Sequence, residues 1–179
     1  MNVNDVVGHI RQDGWCIVEG VIPDDEVKAV RDSVVKTVAD YGKGKPDKVG
    51  VTNPLSRGLI NYDQSFAPYL ADEHIIGVAN HLWGKYVKIT ITTPVTRMPR
   101  KPHIGWHADW PFNQSHHVNI KEPFPDTPML MTVIFMLSPF NEKTGGTMLV
   151  PGSHRARRDW NGNHGDSPFS PHQSQIQAI

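Results

Sequence analysis

Residues 86-YVKITITTPVTRM-98 carry the alternation on which the reading of this chain turns. Val87, Ile89, Ile91, Thr93 and Val95 fall on one side, and Lys88, Thr90 and Thr92 on the other, the period of two that an extended strand imposes. The pattern predicts a strand with one face buried and one in water. Pro94 donates nothing to a ladder, so an edge position or a bulge is expected there. Downstream, 128-PMLMTVIFMLSP-139 is apolar along its length, as a strand buried on both faces would be. The segment 140-FNEKTGGTMLVPGSH-154 then offers a Gly-Gly turn running into another short strand.

Upstream of residue 86 the period is different. The stretch 14-GWCIVEGVIP-23 reads as a short strand with Trp15, Ile17 and Val21 on one side. Pro23 opens a helix in which Val27, Val30, Val34 and Val38 make one apolar stripe. Acids crowd its first turn, where the helix dipole favours them, and Gly42 stops it. From Lys43 to about Tyr69 no period is visible, and GKGKPDK reads as a flexible polar loop. Asp72 caps a second predicted helix through Trp83, with Ile75, Ala79 and Leu82 inward and Gly84 ending it. The tail from Arg155 is polar and aperiodic. Helices precede strands, which argues for α+β rather than alternating βαβ units, with the helices packed on a sheet. One domain over residues 1–179 is expected: a strand and helical region 1–85, core strands 86–154 and a polar tail 155–179.

Composition narrows the function classes. Eighteen basic residues balance eighteen acidic ones, so no field favours nucleic acid or an acidic membrane surface. A single cysteine, Cys16, permits no internal disulfide and no thiolate zinc cluster, which makes the cytoplasm the expected compartment. No apolar run approaches the roughly 20 residues of a membrane helix, and MNVNDVVGHIRQDG lacks a signal-peptide layout.

Between the two predicted strands lies 103-HIGWHADWPFN-113. With ten histidines in 179 residues, about 0.7 His-x-Asp pairs are expected by chance, and the chain has two, His107/Asp109 and His164/Asp166. Context separates them. Residues i and i+2 of extended backbone point to the same side about 6.5 Å apart, which lets an imidazole and a carboxylate converge on one ion. His107 and Asp109 sit between strands and are flanked by Trp106 and Trp110, whereas His164 and Asp166 lie in a Gly/Asn/Ser stretch that reads as solvated loop. Two readings of His107 and Asp109 stand at this point, a mutually hydrogen-bonded turn pair or two ligands of a metal. Imidazole plus carboxylate, completed by a second histidine with positions left open, is the donor set of non-haem Fe(II) oxygenases. A closed structural zinc site would use four ligands, commonly with cysteine. Trp106, Trp110, Phe112 and Asn113 are expected to rim a pocket for a small organic substrate.

Four segments together resemble the phytanoyl-CoA dioxygenase family: the opening DGWCIVEGVIPDDEVKAVRDSV, the WHADW motif, MLMTVIFMLSPF and NEKTGGTMLVPGSHR. The resemblance runs from about residue 8 to 158. It implies a mainly β, double-stranded β-helix (a cupin-like jelly roll) and an Fe(II)- and 2-oxoglutarate-dependent dioxygenase. In such enzymes oxidation of 2-oxoglutarate by O₂ to succinate and CO₂ is coupled to hydroxylation of a C–H bond. By the same resemblance His107 and Asp109 match the first two iron ligands, and His154 of PGSH is structural rather than a ligand. Related halogenases replace the carboxylate by a small residue, so Asp109 implies hydroxylation.

The family's third ligand is a histidine on a late strand, followed by an arginine that pairs with the 2-oxoglutarate carboxylate, and no stretch of that kind follows PGSHR here. His172 is an outside candidate for the ligand, with His164 behind it. Arg155, Arg157 and Arg158 read as a solvated basic cluster, and His103, His116 and His117 as polar loop at the mouth of the site. The jelly roll is therefore expected to be incomplete, a shortened form of a full dioxygenase that is weakly active or inactive unless a partner chain supplies the rest. An open sheet edge would invite a homo-oligomer. The competing readings are a non-catalytic jelly-roll binding or structural domain, and a cupin-like metal isomerase or hydrolase that does not use 2-oxoglutarate.

Overall fold

The computed structural model of the chain describes residues 1–42, 45–47, 50–52, 55, 57–95, 109, 121 and 123–156. Two compact units divide the chain. The first comprises Met1–Ile17, Met98–Phe135 and Pro139–Ile179, and the second comprises Val18–Arg97 and Met136–Ser138.

The first unit opens with helix α1, Val3–Asp13, an element that the sequence reading did not anticipate. Its start is an Asn2/Asp5 capping box: the Asp5 N–H donates to Asn2 Oδ1 at 3.0 Å and the Asn2 N–H donates back to Asp5 Oδ2 at 3.3 Å. Eleven residues is short for a helix to persist alone in water, so the burial of Val6 and Val7 helps to hold it. The strand expected over residues 14–23 does not form. Gly14 and Gly20 have φ of 89° and 74°, and left-handed backbone at both positions interrupts the extended run that the alternation suggested.

Further along this unit, Phe124 and Val150 are buried with Val6 and Val7. The run expected to be buried on both faces is instead open: Met129, Leu130, Val133 and Ile134 are 41–51% exposed. Strand pairing among the described residues is limited to one short hairpin and one bridge, both in the second unit, so no ladder covers this run there. The expected Gly-Gly turn is present in tighter form. Asn141 Oδ1 accepts from the Lys143 and Thr144 N–H groups at 3.0 and 3.2 Å, the Asn141 N–H donates to Thr144 Oγ1 at 2.8 Å, and Gly145 is left-handed.

The second unit contains both helices foreseen from the sequence. Helix α2, Asp24–Tyr41, begins behind Pro23 with three acids in its first turn and ends where the Gly42 N–H reaches Val38 O at 2.8 Å. Its inward face is the valine stripe with Thr37 added; Val30 and Thr37 are the buried members. The outer face carries Lys28–Asp32 and Lys36–Asp40 pairs one turn apart, the second at 2.6 Å. The Lys28 ammonium holds the Asp32 carboxyl below the usual range, and hydrogen bonding to Asp40 raises Lys36. Both pairs are solvated and add little to stability.

The polar loop expected after α2 contains a two-stranded antiparallel hairpin, β1 (Lys45–Asp47) and β2 (Gly50–Thr52), with Pro46 opposite Val51. Two 3₁₀ turns follow, at Leu59–Asn61 and Ala67–Ala71. Helix α3, Glu73–Trp83, then starts where the His74 N–H donates to Asp72 Oδ1 at 2.9 Å. Of its predicted inward positions Ala79 is buried while Ile75 and Leu82 are half-buried, and Val78 is buried as well.

Ile22, Val30, Leu55, Leu59, Phe66, Val78 and Ala79 form the apolar core of this unit. Each of the larger side chains contributes about 1.5–3 kcal/mol by leaving water. A polar pin lies among them: buried Asp63 accepts from the Ser65 N–H at 2.8 Å and from Ser33 Oγ of α2 at 3.1 Å. Tyr41 and Tyr62 rings meet at 5.1 Å, and the Tyr69 hydroxyl donates to Glu26, which raises its pKa.

The alternating segment 86–95 is joined to the 57–60 turn through Thr92. Thr92 bridges Gly58 in parallel, the Leu59 N–H donates to Thr92 O at 2.9 Å and the Ile60 N–H to Thr92 Oγ1 at 3.0 Å. Around that bridge the face expected to be buried is open at Ile89, Ile91 and Val95.

Candidate metal centre

Asp109 is the member of the predicted site that falls among the described residues. His107, Trp106, Trp110, Phe112, Asn113 and the outside candidate His172 lie outside them, as do His103, His116, His117 and His164. The backbone of Asp109 is helical rather than extended. Backbone of this kind at residue 109 is not that of a strand, so a strand's pleat does not set the direction of its carboxylate. A side chain does. Thr132 Oγ1 donates to Asp109 Oδ2 at 2.5 Å, across 23 residues of sequence.

Both partners are solvent-exposed, so the carboxylate is at once reachable and held in orientation. A hydroxyl donor on a carboxylate oxygen is how outer partners orient a metal-ligating acid. Sequence reasoning overlooked Thr132, whose one trace there is a lone hydroxyl within the otherwise apolar 129-MLMTVIFML-137. Among the described residues no three His, Cys, Asp or Glu side chains come together as a metal cluster. A shallow depression along α1, lined by Met1, Asn4, Asp5, Gly8, His9 and Gln12, contains none of the predicted site residues. His154 is committed elsewhere, its Nε2 lying 3.2 Å from Arg11 O.

The sequence model of the phytanoyl-CoA dioxygenase (PhyH) family matches residues 10–177. The chain belongs to that family. Similar proteins include Streptomyces avermitilis ectoine dioxygenase, 25% identical over 154 residues that make up 80% of this PhyH chain and 48% of the relative. Uncharacterized proteins of Mycobacterium tuberculosis (Rv1501) and Mycobacterium bovis (Mb1539) are each 22% identical over 153 residues, 79% of this chain and 52% of theirs. The chain thus spans about half the length of the curated relatives it matches. No solved structure matches it significantly. No helix among the described residues is long and apolar enough to cross a membrane.

Proposed function

We propose that this PhyH-family chain carries part of the active site of an Fe(II)- and 2-oxoglutarate-dependent dioxygenase that hydroxylates a small organic substrate. His107 and Asp109 supply the first two iron ligands, and residues 86–154 belong to the core of a jelly roll. The observation that carries the reading is the Thr132 hydroxyl on Asp109, which marks this carboxylate as one held for a purpose while open to solvent. Family membership and the relative named ectoine dioxygenase support the reaction class.

The donor set fits the metal in kind. An imidazole and a carboxylate two residues apart are the nitrogen and oxygen ligands Fe(II) takes in oxygenases, with positions left for cosubstrate and O₂. When bound, the iron supplies the oxidising chemistry. The chain's own contribution is to hold the carboxylate in one rotation through Thr132 and, with Trp106, Trp110, Phe112 and Asn113, to wall the substrate.

Anaerobic Fe(II) titration followed by a succinate assay tests the proposal. The expected result is iron binding that His107→Ala and Asp109→Ala each abolish, with slow succinate release that requires both iron and 2-oxoglutarate. Iron binding unchanged in both variants, or succinate formed equally without iron, overturns it.

A further inference from the structure

An α-helix leaves its last four carbonyls without donors of its own. In α1 these belong to Ile10, Arg11, Gln12 and Asp13, and all four are satisfied. The Gly14 N–H takes Ile10 O at 2.9 Å. The other three are served by one short segment far down the chain: the Gly152 N–H donates to Asp13 O at 2.8 Å, Arg155 Nη2 to Gln12 O at 2.7 Å, and His154 Nε2 to Arg11 O at 3.2 Å. The Arg155 guanidinium also places positive charge at the negative end of the helix.

Gly14 completes the fit. A β-carbon there would come within 2.4 Å of His154 Nδ1 and 2.9 Å of its Cγ, so the imidazole occupies the space that any other residue would fill. The φ of 89° at Gly14 imposes the same choice independently. The hydrogen bond from His154 goes through Nε2. A carbonyl only accepts, so Nε2 bears the proton directed at Arg11, while Nδ1 lies against the Cα side of Gly14.

We infer that 13-DG-14 and 152-GSHR-155, which appear in the sequence as two unrelated motifs, are the halves of one interlocking cap. The cap joins the N-terminal helix to the segment that follows Val150. His154 is a positioning residue for α1, with its Nε2 committed to Arg11 O.

Amide hydrogen exchange on the 179-residue chain tests this, read at the Gly152 N–H and the last-turn amides of α1, alongside Fe(II) titration of the same samples. His154→Ala and Arg155→Ala are each expected to speed exchange at these amides about tenfold, the scale of one lost hydrogen bond. His154→Gln, which restores an N–H donor at similar reach, should recover part of the protection. In Gly14→Ala the added His154→Ala should relieve the steric part of the damage and leave the backbone strain, so the two effects should fall short of additive. Iron affinity in His154→Ala should equal that of the parent chain. Unchanged exchange at Gly152 in His154→Ala overturns the inference, and so does a loss of iron binding in that variant matching the loss in Asp109→Ala. Should His154→Ala fail to fold, Arg155→Ala leaves the imidazole in place and reads the same amides.

Discussion

Replacing Thr132 by valine exchanges a hydroxyl for a methyl group at nearly constant volume, and so asks what the Thr132–Asp109 hydrogen bond contributes. The bond joins a hydroxyl donor to a carboxylate oxygen at 2.5 Å, a charge-assisted contact at the short end of the usual range. Outer partners of metal-ligating groups typically contribute 10–100-fold to metal affinity. Because both Asp109 and Thr132 face solvent, water competes for the carboxylate and the lower end of that range applies. The expected effect is thus a loss of about tenfold in Fe(II) affinity for Thr132→Val, with Thr132→Ser close to the parent chain. Equilibrium dialysis with Fe(II) under argon, or with Mn(II) as an air-stable substitute, measures it. A Thr132→Val affinity within about threefold of the parent would refute the claim that this hydroxyl orients a ligand. Circular dichroism of the variant separates that result from a folding defect.

Two further outcomes follow from the rest of the chain. Ser33→Ala removes one of the donors to buried Asp63 and should lower stability by about 1–2 kcal/mol in urea unfolding, whereas an unchanged midpoint would show that the pin between α2 and the 63–65 turn is idle. Burial pushes the Cys16 thiol up, so at pH 8 it should alkylate more slowly in the native chain than in urea; equal rates would contradict the shift. The sign for stability follows: the native chain holds that proton more tightly, so stability should fall as the pH rises through the thiol's titration.

What could be read from the sequence was what neighbours in sequence determine. Helices α2 and α3 announce themselves through acids in the first turn, a residue-72 cap and glycines at 42 and 84, all within a few residues of the structure they specify. Three of the four carbonyls that end helix α1 find their donors at residues 152–155, where no local window can see them. The strand expected over 14–23 failed for a related reason. Its alternation was genuine, but the conformations of Gly14 and Gly20 take precedence over side-chain pattern. Alternation in 86–98 likewise identified a segment that bonds to a neighbour, at Thr92, but could not say how much of its apolar face would be covered. The metal motif was visible as residue types. The partner that orients Asp109 was not, since a lone threonine in an apolar run acquires meaning only when 23 residues of chain fold back.

The interlocked ends of α1 also bear on how the protein is made. The helix leaves the ribosome well before residues 154 and 155, so two of its terminal carbonyls wait for donors 143 residues later. At typical synthesis speeds of 5–20 residues per second that interval is roughly 7–30 s. For all of it, an eleven-residue helix below the length of independent stability has exposed valines and an unfinished end. A slowed codon run between residues 14 and 152 would lengthen that exposure.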